Sequence, residues 1–129
     1  MMKNLKLLPL FLLICTFSFA CSETKDNPKK VLRHVVLFGF DSTVTADQVK
    51  EIEEAFQALP QQIEEIKGYE WGTDCSPEGL QKGLTHCFLV TFHSEKDRDA
   101  YLIHPAHQAF GKLINGKLSA ITVVDYWTK

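Results

Sequence analysis

The chain has 129 residues, of which 45% are hydrophobic and 23% charged, and its formal net charge is −2. This length predicts one domain, and the hydrophobic share is that of a globular protein with a buried core. The slight acidity, with no basic stripe along the sequence, excludes nucleic acid as a partner, because nucleic-acid binding requires clustered lysine and arginine.

The first twenty residues have the organisation of an export signal. Lys3 and Lys6 give a positive start, and residues 7–20 carry no charge and are rich in leucine and phenylalanine. This apolar run is short and ends at the small residue Ala20, which favours a cleaved signal peptide over a membrane-spanning helix. We therefore expect residues 1–20 to be a signal peptide.

Cys21 follows this segment directly. The run Ser18-Phe19-Ala20-Cys21 resembles a bacterial lipobox, in which the cysteine is lipidated and becomes the mature N-terminus. A two-chain anchor holds a protein stably at a membrane, since each buried methylene adds about 0.8 kcal/mol. The alternative is ordinary secretion, in which Cys21 has no special role.

Residues 21–30 are polar and contain Pro28, which predicts a flexible tether between the membrane and a domain over residues 31–129. We expect a protein anchored in the cell envelope. The outer membrane is favoured over the inner, because Ser22 does not resemble the aspartate that retains some lipoproteins at the inner membrane. Without the lipid, the protein would be periplasmic or secreted.

The domain begins with a predicted strand over residues 31–40, apolar on both alternating faces, as in a strand buried on both sides. A capping box over residues 45–48 then predicts a helix whose apolar residues recur at helical spacing and which Pro60 ends. The sets that alternate along the first strand are Val35 and Leu37 on one side and His34, Val36, Phe38 and Phe40 on the other.

The second half of the domain contains three more strands and a broken helix. His104-Pro105 interrupts the helical pattern, and Pro105 suits the first position of a new helix. The predicted elements are strands over residues 68–74 and 84–93, helices over 94–103 and from 105 to about 114, and a last strand over 118–127.

The resulting order, β-α-β-β-α-β, predicts an α+β, ferredoxin-like fold: a four-stranded antiparallel sheet with helices on one face. The other face would then carry Val36, Phe38 and Phe40 uncovered, and large apolar patches are rarely left open on a soluble monomer. We expect a second copy to cover it in a two-fold dimer, with a cavity between the two sheets. The alternative is that the tether or the lipid covers this face.

Two cysteines, Cys75 and Cys87, lie in the predicted domain, and we expect free, partly buried thiols rather than a bridge. An exported protein permits a disulfide, but one pair is not a disulfide framework. The sequence has no zinc-ligand spacing and no glycine-rich phosphate loop. We therefore expect neither a metal site nor a cofactor.

Several motifs together resemble the stress-responsive dimeric α/β-barrel (Dabb) family over Leu32 to Tyr126. The resemblance implies the ferredoxin-like fold and a dimeric α/β barrel. It does not by itself imply one function, and one enzymatic class within the family is a cofactor-free polyketide cyclase of the olivetolic acid type. The residues that carry the resemblance are His34–Phe38, Ser76–Leu80 with Lys82-Gly83, Thr85-His86, Tyr101–His107 and Val124–Tyr126.

The resemblance to the cyclase implies that Tyr101 and His107 are a catalytic pair. An aldol cyclisation needs a base and a hydrogen-bond donor for the developing oxyanion, and a histidine at the positive start of a helix stays neutral, as a base must. The alternative is that His107 is structural and Tyr101 a cavity wall. The expected cavity residues are His34, Val36, Phe38, Trp71, Val123 and Asp125.

Three functions remain open from the sequence. The first is a lipid-anchored homodimer that binds a small apolar or aromatic molecule in its cavity. The second is a cofactor-independent acid/base enzyme, and the third is a structural dimer with no ligand. A cavity of about 300 Å³ or more, lined by Tyr101 and His107, would favour the first two over the third.

Overall fold

The computed structural model describes residues 29–129. The predicted signal peptide, the predicted lipidation site Cys21 and most of the predicted tether lie outside the described residues. No helix in residues 29–129 is long and apolar enough to cross a membrane.

The described residues form one antiparallel sheet of four strands, in the order β2-β3-β1-β4, with three helices. This arrangement is the predicted α+β, ferredoxin-like fold, with the second helical segment divided in two. In chain order the elements are β1 Leu32–Phe40, α1 Ala46–Gln62, β2 Gly68–Thr73, β3 His86–Phe92, α2 Glu95–Ile103, α3 Pro105–Ile114 and β4 Leu118–Trp127.

The helix starts follow the capping signals of the sequence. Thr45 caps α1 through a reciprocal capping box with Gln48, and the Ser94 side chain accepts from the Asp97 backbone N–H at the start of α2. The predicted end of α1 is wrong, because Pro60 lies inside the helix. A proline in the last turn removes one hydrogen bond, and the Ile63 N–H still donates to the Leu59 carbonyl at 2.9 Å.

The division between α2 and α3 falls at His104, as predicted. This residue is extended, with φ −62° and ψ 137°, and its Nδ1 accepts from the Ala106 N–H at 3.1 Å. Pro105 occupies the first turn of α3, where the missing N–H costs nothing. His104 therefore acts as the N-cap of α3.

The helices cover the opposite face of β1 from the one expected. His34, Val36 and Phe38 are buried beneath them, and the Phe38 ring lies 6.2 Å from that of Phe56 and 6.3 Å from that of Phe110. The prediction that Val36 and Phe38 lie on the uncovered face is therefore wrong. Alternation separates the two sets of a doubly apolar strand, but it does not say which set faces the helices.

The uncovered face carries the other set. Val35 and Leu37 of β1 are half-buried there, and Val124 and Tyr126 of β4 are 50% and 47% exposed. The register places Leu89 of β3 opposite Val35, on this same face. The described chain thus leaves an apolar sheet surface open, as expected, but it is made by different side chains.

The core lies between the sheet and the helices. Phe56 of α1 is 1% exposed, and its ring lies 4.4 Å from that of Phe88 on β3. Offset aromatic pairs at this distance stabilise a core beyond the area they bury. Cys75 and Cys87 are free, as expected, but both are exposed and not partly buried.

Candidate functional site

A cavity of about 380 Å³ lies between the sheet and helices α2 and α3. It is formed within one chain, on the helix side of the sheet, and not between two sheets as the sequence analysis expected. Its apolar walls include Phe56, Phe110 and Ile121. Of the predicted site residues, it contains Tyr101, His107, His34, Val36, Phe38, Val123 and Asp125.

Trp71, predicted as a residue of a cavity between two sheets, does not line this cavity. It lies on β2, whereas the cavity lies beneath β1 and β4 at the other side of the sheet order. Its ring stacks on Phe88, with centroids 5.7 Å apart, and on His86 at 6.3 Å. The sequence placed Trp71 in a strand, and the cavity expected from the sequence lay between two sheets, not on the helix side of one.

His107 lies in the first turn of α3, and its Nδ1 is 3.1 Å from the Leu102 carbonyl oxygen. Because a carbonyl only accepts, Nδ1 carries the proton of the neutral ring and Nε2 keeps its lone pair. Burial lowers the pKa of His107, and a positive charge on the nearby His34 ring would lower it further, against the raising effect of the Leu102 bond. The ring is therefore neutral at pH 7 and has the state that a general base requires.

Tyr101 lies in the last turn of α2 and is 1% exposed. Its ring centroid is 4.4 Å from that of His107 and 5.6 Å from that of His34. Burial raises the pKa of the Tyr101 phenol above its ordinary value, because the phenolate would lose its hydration. The hydroxyl therefore stays protonated and can donate to an oxygen in the cavity.

His34 and Asp125 are opposite each other in the β1–β4 register, and the His34 Nδ1 is 2.6 Å from one carboxylate oxygen. The other oxygen accepts from Arg98 at 2.7 Å. Burial alone would raise the pKa of Asp125, but the hydrogen bonds from Arg98 and His34 outweigh it, and the net pKa is lowered. The carboxylate is therefore ionised between two donors.

Arg98 is a charged residue of the site that was not predicted from the sequence. It lines the cavity from α2, one helical turn before Tyr101. Residues three apart share a helix face, so the spacing of Arg98 and Tyr101 was the available signal. Asp99 also lines the cavity, and its carboxylate accepts a hydrogen bond from the Nε–H of Arg98 at 2.9 Å.

His86 lies away from this cavity. Its Nε2 is 3.0 Å from Glu53 of α1, and its Nδ1 is 2.8 Å from the Thr85 hydroxyl. Glu53 is distant from His86 in sequence and is brought close to it only by the packing of α1 on the sheet. Within the part of the chain that the structure describes, no group of three or more His, Cys, Asp or Glu side chains could hold a metal ion.

The chain is similar to known proteins in sequence. A family model described as the stress responsive A/B barrel domain matches residues 32–128. A stress-response A/B barrel domain-containing protein, HS1 of Arabidopsis thaliana, is 35% identical over 78% of this chain and 93% of its own length. The olivetolic acid cyclase of Cannabis sativa is 30% identical over 74% of this chain and 94% of its own length.

Solved structures of other proteins have the same fold as this chain. The hydroxynitrile lyase of Passiflora edulis superposes with a TM-score of 0.74 at 29% identity, covering 79% of this chain and 96% of the lyase. A dimeric ferredoxin-like protein of unknown function from Thermobifida fusca superposes with a TM-score of 0.68 at 29% identity, covering 78% and 93% of the two chains.

Proposed function

The chain belongs to the stress-responsive A/B barrel domain family, and from this premise we propose that it is a lipid-anchored homodimer that binds a small apolar or aromatic molecule. The molecule would occupy the cavity that Tyr101 and His107 line. The observation that carries the proposal is the cavity itself, since about 380 Å³ is within the range of small-molecule pockets. A structural dimer with no ligand would be expected to fill this space with side chains.

The lining of the cavity supports the chemical class of the ligand. Phe38, Phe56, Phe110 and Val123 supply apolar surface, whereas the histidines and Tyr101 supply a few polar atoms near one another. Apolar walls with a few convergent polar groups are the usual composition of such sites. A compact molecule with an apolar body and one or two oxygens would fit both features.

A second candidate function, cofactor-free acid/base catalysis, is favoured by the state of the Tyr101–His107 pair. His107 is neutral with a free Nε2 lone pair, and Tyr101 retains its proton next to it. One group can remove a proton while the other donates to the oxygen on which charge develops. Two similar proteins are named as enzymes, the olivetolic acid cyclase and the hydroxynitrile lyase.

Self-association is supported by the open apolar face of the sheet and by the dimeric neighbour from Thermobifida fusca. A two-fold pairing would bring the same surface of each copy together and remove it from water. The cavity between the sheet and the helices would stay accessible, because it lies on the opposite face.

The lipid anchor and the cell-envelope location are supported by the sequence of residues 1–30 alone. The test is membrane fractionation of bacteria that express the full chain. Cys21→Ser should move the protein from the membrane to the soluble fraction, whereas the matched Cys75→Ser variant should leave it at the membrane. If Cys21→Ser stays at the membrane, the lipid anchor is excluded.

Ligand binding is tested by purifying the full chain, extracting bound small molecules and identifying them by mass spectrometry. Gly111→Leu is the variant expected to lose the ligand, because Gly111 lines the cavity and a leucine side chain there would fill it. A molecule that co-purifies with the wild type and not with Gly111→Leu supports the proposal. Equal recovery from both variants, or none from either, contradicts it.

Binding and catalysis are separated by a second variant. The extracted molecule is incubated with the wild type and with His107→Ala, and product formation is followed by mass spectrometry. Turnover by the wild type that falls in the variant supports the enzyme. If the molecule binds both proteins and neither converts it, the enzyme candidate is excluded and the binding protein remains.

A further inference from the structure

We propose that Arg98 is a positioning residue of this site: by holding one oxygen of Asp125, it fixes the carboxylate that sets the tautomer of His34. The inference deepens the proposed function and rests on it for its biological meaning. Arg98 acts on His34 through Asp125, which binds both residues.

The carboxylate of Asp125 is shared between His34 and Arg98. The two oxygens of Asp125 have different partners, His34 Nδ1 at 2.6 Å and Arg98 at 2.7 Å. Hydrogen bonds between a guanidinium and a carboxylate are strong and directional. The carboxylate is therefore held at both oxygens, by a strand on one side and by helix α2 on the other.

The Asp125 carboxylate determines which nitrogen of His34 carries the proton. A carboxylate only accepts, so the neutral His34 ring carries its proton on Nδ1 and leaves Nε2 unprotonated. His34 is 5% exposed, so little of its surface is open to water as an alternative partner. The cavity would then contain two imidazoles of the same tautomer, His34 and His107, with Tyr101 next to both.

Asp125 needs Arg98 as a second partner to keep its carboxylate in one orientation. Its side chain is 26% exposed, so a carboxylate bound to His34 alone could rotate towards water. Arg98 is itself fixed, because its Nε and a terminal nitrogen both bind Asp99 at 2.9 and 2.8 Å. Arg98 thus links a rigid helix to the strand that carries Asp125, which is how outer partners orient a functional histidine.

The experiment is a two-bond 15N–1H correlation spectrum of the histidine side chains of the full chain, recorded without ligand at a pH where the rings are neutral. His34 signals are assigned by their loss in His34→Gln. The wild type should show the Nδ1–H form of His34 as the great majority. Arg98→Met should reduce that form to a minority, whereas Arg98→Lys should restore most of it.

Two variants complete the design. Asp125→Asn should lose the Nδ1–H preference, because an amide can also donate. Lys96→Met removes a charge from the same helix outside the cavity and should leave the spectrum unchanged. If Arg98→Met does not fold, Arg98→Gln replaces it, with the same expected loss.

A wild-type His34 spectrum in Arg98→Met, next to an altered one in Asp125→Asn, would show that Asp125 acts without Arg98 and would overturn the proposal. An unaltered spectrum in Asp125→Asn would overturn it as well. Because no ligand is present, these results are independent of ligand extraction: a failed extraction removes the proposed function but leaves the tautomer result as it stands.

Discussion

The ring of Tyr101 lies 4.4 Å from that of His107, at an interplanar angle of 52°, although the two residues belong to different helices. The break at His104 brings them together. Tyr101 ends α2, His104 is extended, and α3 starts at once with Pro105, so the first turn of α3 lies against the last turn of α2. The Leu102 carbonyl that binds His107 belongs to that same last turn.

The lowered pKa of His107 predicts how stability depends on pH. The unfolded chain titrates His107 near its ordinary value of 6.5, whereas burial lowers its pKa in the folded state. Between these two values the unfolded state binds a proton that the folded state lacks, so the free energy of unfolding falls as the pH drops below about 6.5. It falls no further from this source below the folded-state pKa.

The measurement is urea unfolding of the wild type and of His107→Gln over a series of pH values. The decrease in the free energy of unfolding below pH 6.5 should be smaller in His107→Gln. The Asp125 carboxyl, whose pKa is also lowered, titrates in a more acidic range and is common to both proteins. Parallel curves for the two proteins between pH 7 and about 5 would contradict the buried, neutral state of His107.

Gly111 gives a test of the cavity that needs no known ligand. It lies inside α3, lines the cavity, and has nothing within 4 Å of where a Cβ would be. Gly111→Ala should raise the free energy of unfolding by about 0.5–1 kcal/mol, because glycine is costly inside a helix. The measurement is chemical denaturation. A destabilised Gly111→Ala would mean that the space beside Gly111 is not open.

The sequence predicted the fold and named seven of the residues that line the cavity, but it did not give the side of the sheet on which the cavity lies. Strand β1 is apolar on both faces, so the set with His34 and Phe38 and the set with Val35 and Leu37 are equivalent by periodicity. What distinguishes them is packing, since Phe38 lies against Phe56 and Phe110 from two helices. Contacts between distant elements do not appear in the local pattern of a strand.

The polar partners of the site could be predicted in part. The fold places the first and last strands side by side, which made Asp125 available to His34, but the exact register that pairs them is set by tertiary structure. The bond from Arg98 to Asp125 depends on the angle at which α2 crosses the sheet. No spacing within the sequence specifies that angle.

Phe56 is the centre of the aromatic core and predicts a large loss of stability. Its ring lies 4.4 Å from that of Phe88 and 4.8 Å from that of Phe110. Phe56→Ala should lower the free energy of unfolding by about 3–5 kcal/mol, through lost burial and a cavity between sheet and helices. Phe56→Leu should cost less. Leu80→Ala is the control, because Leu80 is 70% exposed, and its effect should be near zero.

The open sheet face predicts a variant that separates the subunits without unfolding them. Leu89 lies on this face opposite Val35, away from the helices. Leu89→Arg should place a charge in the contact between the two sheets, where an unpaired charge is costly to bury. Sedimentation equilibrium should show a dimer for the wild type and a monomer for Leu89→Arg. Ile103→Arg is the matched control, because Ile103 is 76% exposed on a helix and should leave the dimer intact.

The rates at which the free thiols of Cys87 and Cys75 react give a second test of sheet pairing in the wild type and in Leu89→Arg. Cys87 lies next to this patch, opposite Leu37 in the β1–β3 register, whereas Cys75 lies in the exposed loop after β2. Pairing of the sheets should slow alkylation of Cys87 in the wild type, and Leu89→Arg should restore it, while Cys75 reacts equally in both. If wild-type Cys87 reacts as fast as Cys75 and the wild type sediments as a monomer at high concentration, the open face has a different covering and the homodimer is excluded.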